Sequence, residues 1–369
     1  MNIHRRQIQF HALAASILVT AGAAASPVSA GEQRAAQHAI GAIHPYAGKI
    51  AKATGRPILP DTKKQDAASP ARRLLKRMLE AETSLAFTGS QVTIVYRERG
   101  PIRSEQNVFR DGSRAIRMDY TGGTRVVAGE QVVDDGTTFW RYIPKRNTLE
   151  ISPSRVKTLR NRIRQMIAQV RRGVNGVQII GEQNVAGRPC AMIDVRPVSG
   201  FGAWRRFWID QGSGLPLRQE EYRADNSIQS VSYFETINPV SGFPPGTFAA
   251  PVTPPNVIRK NVDGPGGGTL ADAQKSAPFT IRQPGYIPGG YRFQSAAVSR
   301  FRGKKMIVLQ YANGLSTISI YEIAADSPSA VEPAQSPRNE VATATIAGIK
   351  VVVVGSVGSG ELLRIIQSM

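Results

Sequence analysis

Between residues 181 and 238 the chain reads GEQNVAGRPCAMIDVRPVSGFGAWRRFWIDQGSGLPLRQEEYRADNSIQSVSYFETIN, and this stretch constrains the fold more than any other. Four strands are expected in it, at about 191–196, 204–209, 216–223 and 228–237. They are joined by Val198-Ser199-Gly200, by Asp210-Gln211-Gly212-Ser213-Gly214 and by Ala224-Asp225-Asn226-Ser227, where glycine and short polar side chains suit tight turns. Connections this short make neighbouring strands antiparallel, because a parallel return needs a dozen residues or more. Alternation puts Phe207 and Ile209 on one face and Trp204, Arg206 and Trp208 on the other. Both faces carry aromatic rings, so both are expected to be covered at least in part.

The rest of the chain falls into segments around this meander. Arg5 and Arg6, an apolar run over 12–25 and Val28-Ser29-Ala30 make residues 1–30 an export signal with a small-residue cleavage site. The apolar run is too short for the roughly 20 residues a membrane-spanning helix needs. Residues 31–69 are small and polar, without a sustained period, and read as a disordered leader. A helix is expected from Pro70, with Ser69 as its cap, ending before Phe87-Thr88-Gly89. Strand patterns follow at 90–97, 106–110, 113–120, 125–128, 131–133, 137–143 and 148–151. Residues 242–277 are rich in Pro and Gly and read as a linker. A second domain over 278–369 shows strands at 295–300, 305–311 and 316–322, a strand pair around Ala347-Gly348, and a last helix from about Glu361.

Residues 153–173 interrupt the sheet with helical spacing. Val156, Leu159, Ile163, Met166, Ile167 and Val170 form one apolar stripe, surrounded by Arg155, Lys157, Arg160, Arg162, Arg164, Arg171 and Arg172 without an acid. Such a helix lays its stripe on the sheet, or serves as a lid over an apolar hollow, or meets anionic lipid with its cations. The net charge of +20, less the two signal arginines, leaves +18 on the mature chain. That balance suits a polyanionic partner, and the alternative is simply a basic surface. Export argues against nucleic acid.

Catalytic chemistry has little to work with. The four histidines are His4 and His11 in the signal and His38 and His44 in the leader, leaving none in the folded body. This removes Ser-His-Asp and Cys-His arrangements and the common histidine-based metal sites. Cys190, the only cysteine, reads as a small core residue and permits no intrachain disulfide. Asp134 and Asp135 precede Gly136 as hairpin residues, and Glu220 and Glu221 face opposite sides of a strand. The glycine-rich runs at 264–268 and 355–360 lack the lysine and second strand of a phosphate loop. No catalytic, metal or cofactor residue is assigned. The chain is expected to be a binding protein. Trp204, Phe207, Trp208 and Tyr222 are candidates for an acyl-chain lining under a lid bearing Leu159, Ile163 and Met166, with Arg160 and Arg164 near a headgroup. The alternative is ordinary core.

Two orders of residues, "L-L-K-R-M…F-T-G…V-Y" from Leu74 and "I-D-V-R-P…W-R-R-F-W-I-D…G-L-P-L-R…E-E-Y…F-E-T-I" closing the meander, resemble the N-terminal domain of the RseB/MucB family. The resemblance spans about 70–238, and "L-Q-Y-A-N-G-L-S-T-I-S-I-Y" resembles, less specifically, the family's small C-terminal domain. It implies an α+β fold: a large twisted antiparallel sheet, the LolA-like half-barrel, over 70–241 with a helical lid, then a small α+β domain. It also implies a periplasmic protein that binds the periplasmic part of a membrane-anchored anti-sigma factor and shields it from proteolysis. Lipid or lipopolysaccharide would release that complex under envelope stress. A lipid or lipoprotein carrier of LolA type is the second expectation, and a polyanion-binding envelope protein the third.

Overall fold

In the computed structural model the described residues are 69–97, 100–124, 128–200, 202–261, 268–301, 304–325 and 340–369, and the side chains of 157–163, 300–301, 304 and 340 are not among them. The expected signal at 1–30 and the expected leader up to residue 68 lie outside the described residues. Among those described, no helix is long and apolar enough to cross a membrane.

Helix α1 (Pro70–Ser84) starts where its cap predicts. The Ser69 hydroxyl accepts the Arg72 N–H at 3.3 Å, and Pro70 takes the first turn, where its missing N–H costs nothing. Six strands then run outward in sequence: β1 (Ala86–Arg97), β2 (Gly100–Asp111), β3 (Ala115–Gly123), β4 (Gln131–Asp134), β5 (Thr138–Ile143) and β6 (Thr148–Pro153). Helix α2 (Val156–Arg171) carries the chain across to the far edge. There β7 (Asn175–Val185), β8 (Arg188–Pro197), β9 (Trp204–Asp210), β10 (Pro216–Tyr222) and β11 (Ile228–Val240) return as a meander until β11 pairs with β1.

Strand β7 was not expected from the sequence. Its register shifts between Ile179 and Gly181, where Gly181 has φ 148°, and this bulge breaks the period-two pattern that marks a strand. Of the strand expected at 125–128, residues 125–127 lie outside the described set and Ala128 is in a turn.

The linker is more ordered in its contacts than its composition suggests. Phe243 packs edge-on against Phe109 of β2, with ring centres 6.5 Å apart, and against Phe248 at 5.1 Å. It then forms β12 (Ile258–Asn261), which pairs parallel with β6, Ile258 opposite Thr148. The other ten pairings of this sheet are antiparallel, as expected, and this edge pair is parallel. The twelve strands lie in the order β12-β6-β5-β4-β3-β2-β1-β11-β10-β9-β8-β7.

Helix α3 (Leu270–Ser276) opens with a capping box between Thr269 and Asp272, and its Ala273 is buried in the core of the second domain. Gly268 already bridges to Ala296, so that domain begins in packing terms ahead of residue 278. Its sheet, ordered β13-β14-β15-β17-β16, comprises β13 (Arg292–Phe301), β14 (Lys304–Ala312), β15 (Thr317–Ala324), β16 (Glu340–Ile346) and β17 (Ile349–Gly355). Helix α4 (Ser359–Gln367) buries Leu362, Ile365 and Ile366 against it.

Candidate functional site

Paired residues on neighbouring strands face the same side, so the registers assign every aromatic of the meander. Phe207 lies opposite Ile193 and Gln219, while Trp208 lies opposite Met192 and Arg218. Phe207, Ile193 and Ile209 pack in one cluster with Leu75, Met78 and Leu79 of α1 and with Met166 and Val170 of α2. Both helices therefore cover the Phe207 face. Trp204, Trp208 and Tyr222 lie on the opposite one. The four aromatic candidates do not share a lining.

On that opposite face the rings are covered by arginines. The Trp204 indole stacks on Tyr222 with centres 3.7 Å apart and planes 2° from parallel, and the Arg196 guanidinium lies 3.4 Å from its centre on the other side. Asp194 holds this sandwich together, accepting from Arg196 Nη2 at 2.9 Å and from Arg206 Nε at 2.7 Å. Trp204 Nε1 donates to Asn226 at 2.9 Å. Trp208 donates to Gln183 at 2.8 Å and lies 4.7 Å under Arg218. Burial and the neighbouring Glu220 carboxylate, which accepts from the Tyr222 hydroxyl, keep that phenol far above its ordinary range.

The helix face of the central strands is polar. Gln106 donates to Gln91 at 2.9 Å and to Thr93 at 3.1 Å, and Thr93 meets Ser232 at 3.1 Å, all of them buried. The sequence signal was present in the alternation of Gln91 and Thr93 along β1, but a polar residue in a strand reads by default as solvent-facing. On the buried side of α1, Glu82 is 2% exposed and lies 3.9 Å from Arg110. Burial pushes the Glu82 carboxyl up to about 7, against the pull of Arg110 and Arg205.

Helix α2 is the joint between the two domains. Met166, wholly buried, packs in one cluster with Phe207 of the sheet and Leu315 of the second domain. Gln165 and Gln169 donate to Gln294 and to the Gly290 carbonyl across the junction. Gly290, at φ 88°, leaves so little room that an added Cβ would meet Val174 at 2.4 Å. Of the lid candidates, Met166 is thus packed, Arg164 is exposed, and the side chains of Leu159, Arg160 and Ile163 lie outside the described residues. Asp134, read from sequence as a hairpin residue, accepts from Ser154 Oγ at 2.7 Å and from the Arg155 N–H at 2.7 Å, and so fixes the entry into α2.

Beside this joint lies a cleft between the domains. Trp204, Arg205, Glu221 and Tyr222 form its sheet side, and Ser316, Thr317, Ser319 and Ser356 are among the residues of its other wall. Arg205 and Glu221, both buried, pair at 2.9 Å, and Ser230 donates to Glu221 at 2.8 Å. The cleft holds about 60 Å³, well below the roughly 300–1,000 Å³ of small-molecule sites, and its walls are polar and apolar in about equal measure. Among the described residues no three His, Cys, Asp or Glu side chains are grouped to hold a metal ion. What the cleft offers is hydrogen-bonding groups on two bodies whose separation would widen it.

Residues 70–237 match the family model of the MucB/RseB N-terminal domain. Two solved structures share the fold across both domains. The Pseudomonas aeruginosa MucA/MucB complex superposes with a TM-score of 0.51 at 15% identity, over 80% of this chain and 97% of that one. MucB in complex with MucA(peri) gives 0.50 at 17% identity, over 81% and 97%. No curated protein matches the chain. Residues 70–237 thus carry the MucB/RseB N-terminal domain, and the likeness to the two solved structures extends the shared fold across the second domain.

Proposed function

We propose that the chain is an exported regulator that binds the periplasmic part of a membrane-anchored anti-sigma factor and shields it from proteolysis. The observation that carries this reading is the coupling of the second domain to the sheet through α2, at Met166 and Leu315. A carrier of LolA type needs only the sheet. A regulator whose partner lies between two bodies needs both, and the MucB structures that share this fold contain MucA. Once widened by separation of the two bodies, the cleft would take an extended segment of the partner, with Trp204, Tyr222 and the serine-bearing wall supplying stacking surface and hydrogen bonds. The protein acts by binding, not by catalysis.

Release follows from the same joint. Lipid or lipopolysaccharide weakens the partner complex only by preferring the unbound form. An acyl chain entering the helix face must displace Met166 from Phe207, and α2 would carry the second domain with it. Trp204 and Tyr222, on the other face, would sense this through the cleft and not through contact with the chain.

Crosslinked affinity capture of the mature protein from its own envelope, with mass spectrometry of proteins and lipids, tests the reading. Recovery of a single-pass anti-sigma factor, lost when lipid is added, is the expected result. Stoichiometric lipid or lipoprotein without that partner would favour the carrier instead. Amino-terminal sequencing of the periplasmic form checks export, with cleavage expected after Ala30.

A further inference from the structure

The wall that Trp204 and Tyr222 present to the cleft is held from behind. Tyr222 of β10 lies opposite Trp204 of β9, and Asp194 of β8 lies opposite Arg206 of β9, all on the sheet face opposite Phe207. Asp194, 5% exposed, accepts four hydrogen bonds on its two oxygens. Two come from Arg206, Nε at 2.7 Å and Nη2 at 3.1 Å, and two from Arg196, Nε at 3.2 Å and Nη2 at 2.9 Å. Charge-assisted bonds made in pairs fix the plane of a guanidinium as well as its position. Arg196, oriented in this way, lies 3.4 Å from the centre of the Trp204 ring. Arg206 stands 5.6 Å from the Trp204 ring and 5.8 Å from that of Tyr222. One carboxylate therefore orients both guanidiniums that bear on the stacked pair. Asp194, Arg196 and Arg206 do not themselves border the cleft, and they reach it only through the rings.

The same face contains its own comparison. Trp208 is likewise covered by an arginine, Arg218 at 4.7 Å, and donates to Gln183 at 2.8 Å, but it does not border the cleft. Arg196 and Arg206 keep 39% and 25% of their side chains exposed. Freed from Asp194 they can be hydrated, so loss of the carboxylate costs the fold modestly and acts chiefly on the order of the rings. A side chain that must be immobilised on binding lowers affinity, and rings already held by their neighbours avoid that cost.

We infer that Asp194 is a positioning residue for partner binding: through Arg196 and Arg206 it holds Trp204 and Tyr222 as one preorganised wall of the cleft. The inference rests on the reading that the partner's segment binds in this cleft.

Asp194→Asn in the mature full chain, set beside Gln183→Ala, tests this. Near-ultraviolet circular dichroism, assigned by difference against Trp204→Phe, reads the stacked pair before any partner is added. Titration with the purified periplasmic fragment of the captured anti-sigma factor then reads affinity. Asp194→Asn is expected to lose the signature of the pair, to keep its far-ultraviolet spectrum, and to bind the fragment roughly tenfold more weakly. Gln183→Ala is expected to bind as the unmodified protein does. Arg196→Gln, at a partly exposed position, removes one guanidinium only, should weaken binding less, and serves where Asp194→Asn does not fold. An unchanged near-ultraviolet spectrum in Asp194→Asn would show that the carboxylate does not order the rings, and would overturn the inference. A lost signature with unchanged affinity overturns it too, as does equal weakening by Gln183→Ala; in both cases the regulator reading stands. Failure of the fragment to bind the unmodified protein removes the regulator reading, and this inference with it.

Discussion

Gly314 faces the backbone of Met166 so closely that a Cβ on Gly314 would lie 3.0 Å from both the Met166 nitrogen and its Cα. Its φ of 85° is in the left-handed region as well. Gly314→Ala therefore meets two penalties, conformational strain and a clash at the domain joint, and should destabilise docking of the second domain by about 1–3 kcal/mol. Gly348→Ala separates the two. That glycine has φ 77° and nothing within 4 Å of an added Cβ, so only the strain remains, about 1–2 kcal/mol. Chemical denaturation of both variants reads the difference, which should appear in the transition that reports separation of the domains.

Much of this joint was hidden from the sequence for a definite reason. The meander was legible because its turns carry glycine and Asp/Asn/Ser chemistry and its strands alternate, and β8 to β11 lie close to the expected positions. The stripe of Met166 and Val170 was legible as a helix, but its periodicity says only that one face is buried. It cannot say that Leu315, far along the chain, completes that burial. The aromatic candidates divide between the two faces for a related reason. Trp204 and Phe207 differ by an odd number of positions, which puts them on opposite faces, yet hydrophobicity alone pools them. The arginines over Trp204 and Trp208 carried no local signal either, because the partners arrive from β8 and β10.

Asp134 ties the β4–β5 turn to the start of α2 through Ser154 and the Arg155 backbone, and it also accepts from the Gly136 N–H at 3.0 Å. Asp134→Ala leaves these part-buried donors short of a partner and should cost about 1–2 kcal/mol. Because α2 carries the domain joint, protease sensitivity near residue 155 should rise together with the loss of stability. Asp135→Ala, whose carboxylate serves only Thr137 and Thr138 in the exposed turn, is the control and should cost less.

Arg205 and Glu221 oppose one another at the floor of the cleft with 5% and 8% of their side chains exposed. Removing one charge strands the other in a medium that solvates it poorly. Arg205→Ala should cost about 3–5 kcal/mol, while replacing the pair together by Met and Leu should cost markedly less. A double-mutant cycle followed by chemical denaturation measures the coupling. Single and double variants of equal stability would show that the pair contributes nothing at this site.

Two buried carboxyls give the fold a predictable response to pH. Burial raises both Glu82 of α1 and Glu322 of β15 to about 7, in the first against Arg110 and in the second against the Arg282 N–H at 3.2 Å. A carboxyl whose folded value lies above its ordinary 4.5 binds its proton more tightly when folded. Its contribution is then fully present below about 4.5 and is lost as pH rises through 7. Stability from these groups should decline over that window, by roughly 3 kcal/mol for each. Glu82→Gln and Glu322→Gln mimic the protonated form and should each flatten the decline, raising stability at pH 8 and changing little at pH 5. Urea denaturation across pH 5–8 gives the curves. A variant whose curve runs parallel to that of the unmodified protein would show that its carboxyl does not titrate in this range.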